Sequence, residues 1–320
     1  MHFGNRATEE MARRYFDLFI NRLAYTVQSG RPHRETGRHY YYRPTNGTQK
    51  QPLRLSLATI QDHLRGKITI GIYAINPRTQ RSKWVAIDAD YPEALPDLLK
   101  LQWELKQDGV EAALEKSRRG GHLWIFARKP LLAQHCRLYI YNLATRLHVP
   151  VKGGRLAEGI EVFPRQDTLE PEGFGSGIRA PLGVHRGAGK RFWFYGANYT
   201  LEEQLTYLER LKRITETEMA GFIQGLEMPE EFRPKPKVEL PPYNPKRREF
   251  QILEHVQVRR KQGRDYWTRC PSCARHGRDR SGDNLAISVA DPRKYHCWAG
   301  CTKDMIREAL GCPIRTRVVR

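Results

Sequence analysis

Residues 83–90 read Lys83-Trp84-Val85-Ala86-Ile87-Asp88-Ala89-Asp90. Four apolar residues run directly into two acids. β-branched and aromatic residues in a short run predict a strand. Side chains two apart on a strand share a face, so Asp88 and Asp90 aim at one point while Ala89 turns away. Two hard oxygen donors on one face suit Mg²⁺ or Mn²⁺. Alone, such a pair also describes a solvated strand end. The apolar run before it favours a site.

Downstream, Glu93–Asp108 reads as a helix stopped by Gly109. Ala112–Lys116 and His122–Ala127 read as strands about the Gly120-Gly121 turn. That turn, Lys116-Ser117-Arg118-Arg119-Gly120-Gly121-His122, is basic. Glycines let backbone approach a ligand closely. Ser117, Arg119 and His122 supply hydroxyl, guanidinium and imidazole donors suited to a triphosphate. An ordinary charged hairpin is the competing reading, but one helix separates the turn from the acidic strand, so both can converge on one sheet. A third acid, Glu161, sits in Gly159-Ile160-Glu161-Val162-Phe163-Pro164. A charge in a short apolar strand needs a partner or a metal. Asp167 and Glu158 are weaker candidates.

Around this centre, Ala7–Gln28 reads as an amphipathic helix with Met11, Tyr15, Leu18, Leu23 and Tyr25 at helical spacing. Tyr40, Tyr41 and Tyr42, between Arg38 and Arg43, fit strand packing somewhat better than base stacking. Lys67–Ala74, Ile178–Leu182 and Phe192–Tyr195 read as strands, and Leu131–Leu147, Leu201–Ile214 and Glu216–Gly225 as helices. Alternating strands and helices argue for a mixed α/β or α+β domain.

The 320 residues carry a formal charge of +20 and are 39% hydrophobic. That apolar content suffices for a core. The charge points to a polyanionic partner, nucleic acid first. No apolar run approaches the ~18 residues of a membrane span, and no signal-peptide core opens the chain, so a cytoplasmic protein without a membrane partner is expected.

Asp88-x-Asp90, Ser117-x-x-x-x-His122 and Glu161, in that order, resemble the archaeo-eukaryotic primase superfamily. The resemblance covers about Leu53 to Tyr195. It extends to Gly177-Ile178-Arg179-Ala180-Pro181-Leu182-Gly183-Val184-His185-Arg186, which is similar to a stretch in primase-polymerases of mobile elements, conflict systems and CRISPR loci. The resemblance implies an α+β fold with an RRM-like core and helical additions. It implies that Asp88, Asp90 and Glu161 hold divalent metals. His122 would contact the triphosphate, helped by Ser117 and Arg119, with Arg179 and Lys190 as further nucleotide contacts. Two departures stand out. The family often has a shorter Ser-x-His, and its third acid is commonly aspartate. The activity implied is template-directed synthesis by a primase-polymerase, from nucleoside triphosphates on single-stranded DNA. No helicase motif is present, so unwinding calls for a partner helicase, and CRISPR or defence proteins are further implied partners.

Near the C-terminus, Cys270-Pro271-Ser272-Cys273 and Cys297-Trp298-Ala299-Gly300-Cys301 are separated by 23 residues. Two close cysteine pairs so spaced predict a tetrahedral Zn²⁺ site from Cys270, Cys273, Cys297 and Cys301, with His276 or His296 as alternative ligands. A small domain needs such a staple. Cys136 and Cys312 stand apart. Asp283–Val289, Tyr295-His296-Cys297 and a helix over Lys303–Leu310 resemble the zinc ribbon of bacterial and phage primases. Arg259, Arg260, Lys261, Arg264, Arg269, Arg275, Arg278 and Arg280 form a basic face suited to template phosphates. Pro229–Pro245, with six prolines, reads as a stiff linker. The expected division is a helical, basic segment at 1–50, a catalytic domain at 51–227, a linker at 228–246 and a zinc-binding domain at 247–320.

Two other readings compete. A non-catalytic zinc-bearing nucleic-acid-binding protein shares the charge and the cysteines but has no need for acids beside phosphate. A metal-dependent nuclease uses acids but leaves the Ser117–His122 turn without a triphosphate to hold.

Overall fold

The computed structural model describes residues 7–34, 37, 39–47, 51–153, 156, 158–233, 243–244, 250–277, 279 and 282–314. The chain divides into two compact units, one of residues 1–151 and 158–229, the other of 152–157 and 230–320. Most of the proline-rich stretch, with Arg38, Arg278 and Arg280, lies outside the described residues.

In the first unit the order is α1 (Glu9–Phe19), β1 (Tyr25–Gln28), β2 (Tyr41–Tyr42), α2 (Leu57–Leu64), β3 (Ile70–Tyr73) and β4 (Arg81–Ala89). Then come α3 (Ala94–Gln107), β5 (Ala112–Lys116), β6 (Gly121–Leu132), α4 (Ala133–Arg146), β7 (Glu161–Phe163) and β8 (Gly177–Arg179). Two short strands, β9 (Val184–His185) and β10 (Lys190–Arg191), precede α5 (Leu201–Arg210) and α6 (Glu216–Ile223).

From β4 to β7 the chain runs β-α-β-β-α-β, a split-βαβ unit. Its sheet has the order β5-β6-β4-β7, all neighbours antiparallel. The first and third strands of the unit are central, which is the RRM-like, α+β arrangement. Period two divides the sheet into two faces. Trp84 and Ala86 of β4, Trp124 and Phe126 of β6, Ala113 of β5 and Phe163 of β7 share a buried core with Tyr15, Phe19, Ile70 and Ile72. Trp84 and Trp124 meet edge to face at 5.0 Å. The alternate residues Val85, Ile87, Leu123 and Ile125 are also buried, and α3 and α4 pack on this sheet. A second antiparallel sheet, β2-β1-β3-β8, and the two-stranded β9-β10 pair also belong to the unit.

Several element boundaries differ from expectation. The first helix ends at Phe19 rather than Gln28. Thr8 caps its start, its hydroxyl accepting from Met11 N–H at 3.1 Å. At its other end Asn21 pins the chain, accepting from Lys83 N–H at 2.7 Å and donating to the Ala74 carbonyl at 2.9 Å. Tyr25–Gln28 then pairs with β3. Leu201–Ile214 is helical only to Arg210, because Ile214 bonds into β6 through Phe126 and Arg128 before the Thr215 capping box opens α6. Phe192–Tyr195 is no separate strand. Phe194 makes one bridge to Glu115, while Gln204 takes both its N–H (2.8 Å) and its carbonyl (3.1 Å). Tyr40, Tyr41 and Tyr42 do not pack as expected: two form β2, and all three are exposed.

The second unit carries β11 (Arg260–Gln262), β12 (Asp265–Thr268), α7 (Pro271–Arg275), β13 (Leu285–Ser288), β14 (Tyr295–Cys297) and α8 (Lys303–Ala309). Its four strands form one antiparallel sheet in chain order. Ile252, Leu285, Ile287 and Ile306 bury with Cys270, Cys273 and Cys297. Among the described residues, no helix is long and apolar enough to cross a membrane.

Candidate active site

Strand register places four polar residues in one row across the first unit's central sheet. Glu161 lies opposite Asp88, Asp88 opposite His122, and His122 opposite Glu115. Opposed residues share a face. By the same period, this is the face that carries Trp84, Ala86 and Trp124. The row is therefore where the apolar face of the sheet turns polar.

The glycine turn is drawn against the end of β4. A Cβ on Gly120 would stand 2.1 Å from the Ala89 carbonyl oxygen, so only glycine permits this approach. Within the turn, Gly120 N–H donates to Ser117 Oγ at 3.1 Å, and Ser117 Oγ donates to Asp90 Oδ1 at 3.3 Å. Arg119 Nη2 lies 2.5 Å from Asp90 Oδ2.

His122 Nδ1 donates to Glu115 Oε2 at 2.7 Å, and its Nε2 lies 3.3 Å from Asp88 Oδ1. Burial works against a charged imidazole. The charges of Asp88 and Glu115 and hydrogen bonds to them outweigh it and raise the His122 pKa to about 9. Glu115 is fully buried. Burial pushes its carboxyl up, but Arg179 (2.6 Å) and His122 overcome this and lower it to about 2. Trp124 Nε1 donates to the same carboxylate at 3.2 Å. Glu115 thus ties two cations, His122 and Arg179, to one buried anion.

Sequence reasoning passed over Glu115. The signal was present: a lone acid in the buried run Ala112-Ala113-Leu114-Glu115 must find partners. Arg165, which donates to Glu161 Oε2 at 2.9 Å, was also missed.

The segment Gly177–Arg186 delivers Arg179. Through β8 it pairs with β3, Arg179 opposite Gly71. The Pro181 carbonyl then accepts from Tyr15 Oη at 2.9 Å and from His63 Nε2 at 3.0 Å. Gly183 sits so close to His63 that a Cβ would lie 1.9 Å from its Cε1.

A cavity of about 730 Å³ opens over this arrangement, lined by Asp88, Asp90, Glu161, Ser117, Arg119, His122 and Arg179, with Arg118, Arg165, His185 and Tyr41. Lys190 is not among its lining residues. It is exposed, its Nζ 5.5 Å from the Phe192 ring centre. The three acids share the cavity but not one tight point. Among the described residues, the cysteine set alone groups three or more His, Cys, Asp or Glu with ligand atoms all within 4.8 Å of one another. Each carboxylate instead faces a basic side chain: Asp88 faces His122, Asp90 faces Arg119, and Glu161 faces Arg165.

In the second unit, the ligand atoms of Cys270, Cys273, Cys297 and Cys301 gather, with Cys273 Sγ 3.6 Å from Cys297 Sγ and 3.3 Å from Cys301 Sγ. A hydrogen bond from Cys270 helps pull the Cys297 thiol down to about 5. His276 and His296 are not in this cluster.

Comparison with known proteins gives a family match. The model of the TOTE conflict system archaeo-eukaryotic primase domain matches residues 21–222. No curated protein matches. Among solved structures, the polymerase domain from Mycobacterium tuberculosis Ligase D in complex with DNA is similar at 11% identity. It covers 68% of this chain and 87% of that one, with a TM-score of 0.27. At that score the likeness bears on neither fold nor function. The family match spans most of the 320 residues, and on it the chain belongs to the archaeo-eukaryotic primase domain family of TOTE conflict systems.

Proposed function

We propose that this protein is a template-directed nucleotidyltransferase of the primase-polymerase kind, acting on single-stranded DNA. The row Glu161–Asp88–His122–Glu115, with Asp90 and the Ser117–Gly120 turn beside it, carries this reading. It sets carboxylates next to cations on one cavity wall. A nucleotide bound to divalent ions needs both.

The donor chemistry fits hard divalent cations. Asp88, Asp90 and Glu161 offer oxygen donors only, and all three line the cavity. Held by these three carboxylates, Mg²⁺ or Mn²⁺ would supply the Lewis acidity for attack by a 3′-hydroxyl and for departure of pyrophosphate. The chain's own residues do the rest. His122, whose pKa is raised by Asp88 and Glu115 against burial, would turn its Nε2 from Asp88 to a triphosphate oxygen when Asp88 holds a cation. Glu115 fixes the imidazole by its hold on Nδ1. Arg179, held by the same carboxylate, adds positive charge to the cavity wall. Arg119 pairs with Asp90 through a largely exposed side chain, and would be free to turn to a phosphate if Asp90 held a cation. Ser117 orders the turn rather than reaching out, because its hydroxyl is held by Gly120 and Asp90.

The four cysteines suit Zn²⁺. A tetrahedral site with Zn–S near 2.3 Å has sulfur–sulfur edges of about 3.8 Å, close to the spacings within the cluster. Zinc there is structural, because all four positions are thiolates and none is left open.

The deciding experiment uses purified protein, circular single-stranded DNA, Mg²⁺ or Mn²⁺ and labelled nucleotides, without a primer. New oligomers from wild type and none from the Asp88→Ala, Asp90→Ala double variant establish priming. Extension of a primed template alone establishes a polymerase that cannot start chains. Silence in both defeats the proposal, and DNA cleavage without nucleotides assigns a nuclease.

A further inference from the structure

The second unit presents an aromatic surface that the cysteine centre does not use. Pairing across its sheet aligns Arg260, Trp267, Ala286 and His296 in one row. The neighbouring row, Thr268, Leu285 and Cys297, is buried. Alternation therefore puts the first row on the outer face. Trp298 follows two residues after His296, and its N–H donates to the Asn284 carbonyl at 2.8 Å, which extends the pairing by one step. Its side chain is 64% exposed.

The rings on this face are ordered. The Trp267 and Trp298 indoles lie within 8° of parallel, with centroids 6.3 Å apart. His296 stands edge-on to Trp298 at 5.1 Å. The Arg260 guanidinium lies 5.4 Å from the Trp267 ring centre and is held by Asp283 at 2.9 Å. Trp267 is half-buried, but the exposed Trp298 ring leaves apolar area in water, which a stable fold does not require. The surrounding charge says what covers them. Residues 259–269 carry Arg259, Arg260, Lys261, Arg264 and Arg269 against the single acid Asp265. All five basic side chains are exposed. Flat rings among cations match a strand of phosphates whose unpaired bases offer π-faces.

We propose that Trp298 and Trp267, with His296 and Arg260, form a stacking site for an unpaired base of single-stranded nucleic acid, so that this unit grips bases as well as phosphates. The proposal rests on the nucleic-acid partner of the preceding section but not on catalysis. It is tested by binding alone, and a catalytically silent protein can still pass.

The test is fluorescence anisotropy of the full-length, zinc-loaded protein with labelled oligo-dT and with an abasic oligomer of equal length, without nucleotides or Mg²⁺. Wild type should prefer the base-bearing strand by about 5- to 100-fold, the worth of one stacked base. Trp298→Ala should lose most of that preference and keep its affinity for the abasic strand, with Trp298→Phe intermediate. Zinc content confirms that each variant keeps its cysteine centre. A second measurement needs no variant: photocrosslinking of wild type to an iodouracil-bearing strand should map to peptides containing Trp267 or Trp298. An unchanged base preference in Trp298→Ala, or crosslinks confined to other peptides, overturns the proposal. Equal loss on both strands does so too, since it marks a site for phosphate alone.

Discussion

Glu115 and His122, opposed across β5 and β6, are joined by a 2.7 Å hydrogen bond that solvent barely reaches. The same carboxylate holds Arg179 at 2.6 Å. One buried anion therefore balances two cations that line the cavity. Removing it while leaving them in place should be costly. Glu115→Ala is expected to destabilise the first unit by about 3–5 kcal/mol, the usual penalty for breaking a buried ion pair. Glu115→Gln, which keeps the shape and one acceptor, should cost less and still raise the nucleotide KM more than it lowers kcat. Urea unfolding and steady-state extension kinetics check both.

The same network gives a pH signature. Glu115 has a folded pKa of about 2 against an ordinary 4.5. Its stabilisation is present above pH 4.5 and is lost as pH falls through about 2. The His122 pKa is raised from 6.5 to about 9. Its stabilisation is present below pH 6.5 and is lost as pH rises through about 9. The stability gap between wild type and Glu115→Gln should be flat near pH 5–6 and shrink at both extremes. A gap independent of pH would show that charge is not what the network contributes.

How far the sequence reveals this site depends on the range of the interactions. Period two in Trp84-Val85-Ala86-Ile87-Asp88 is local, so the strand, its two faces and the acidic end are all readable from it. The glycine turn and the four cysteines are local patterns as well. A lone acid in an apolar run marks Glu115 as needing partners, and His122 lies only seven residues on, but Arg179, which completes the pair of cations, is 64 residues away and beyond any local window. Lys190 enters as a nucleotide contact only through the family resemblance, and its side chain reaches Phe192 rather than lining the cavity. The first helix was read too long because Leu23 and Tyr25 continue a helical spacing that Asn21 breaks by bonding to Lys83 and Ala74.

Asp88→Ala and Asp90→Ala should each reduce nucleotide incorporation by about a thousandfold or more, ~4 kcal/mol of transition-state stabilisation. Both side chains are partly exposed at the end of β4, and His122 keeps its bond to Glu115 without them. The urea midpoint should therefore move little. Activity that survives in either variant removes that carboxylate from the metal set.

Gly183→Ala tests how Arg179 is delivered. The added methyl would meet the fully buried His63 ring at 1.9 Å. His63 in turn holds the Pro181 carbonyl two residues from Arg179. Overpacking of this kind costs about 1–3 kcal/mol. A parallel rise in nucleotide KM would show that the strain reaches the cavity. A normal melting curve with normal KM would mean that the loop shifts freely and does not position Arg179.

Zinc removal should separate the two units. Among the described residues, the buried aliphatic side chains packed about the cysteines of the second unit are Ile252, Leu285, Ile287 and Ile306, a small core of the kind that a metal centre usually staples. Binding of a structural metal is then folding free energy. Cys297→Ser, or a strong chelator, should lower zinc content and abolish the near-ultraviolet signal of the Trp267–Trp298 pair. The first unit has its own core of Trp84, Trp124, Phe126 and α1 residues, so its unfolding transition should remain. If the second unit grips template, priming should fall more than extension, because a primer end already anchors the strand at the first unit. Equal loss of both activities would assign the cysteine centre a role in stabilising the whole protein, and undiminished priming would release it from template binding altogether.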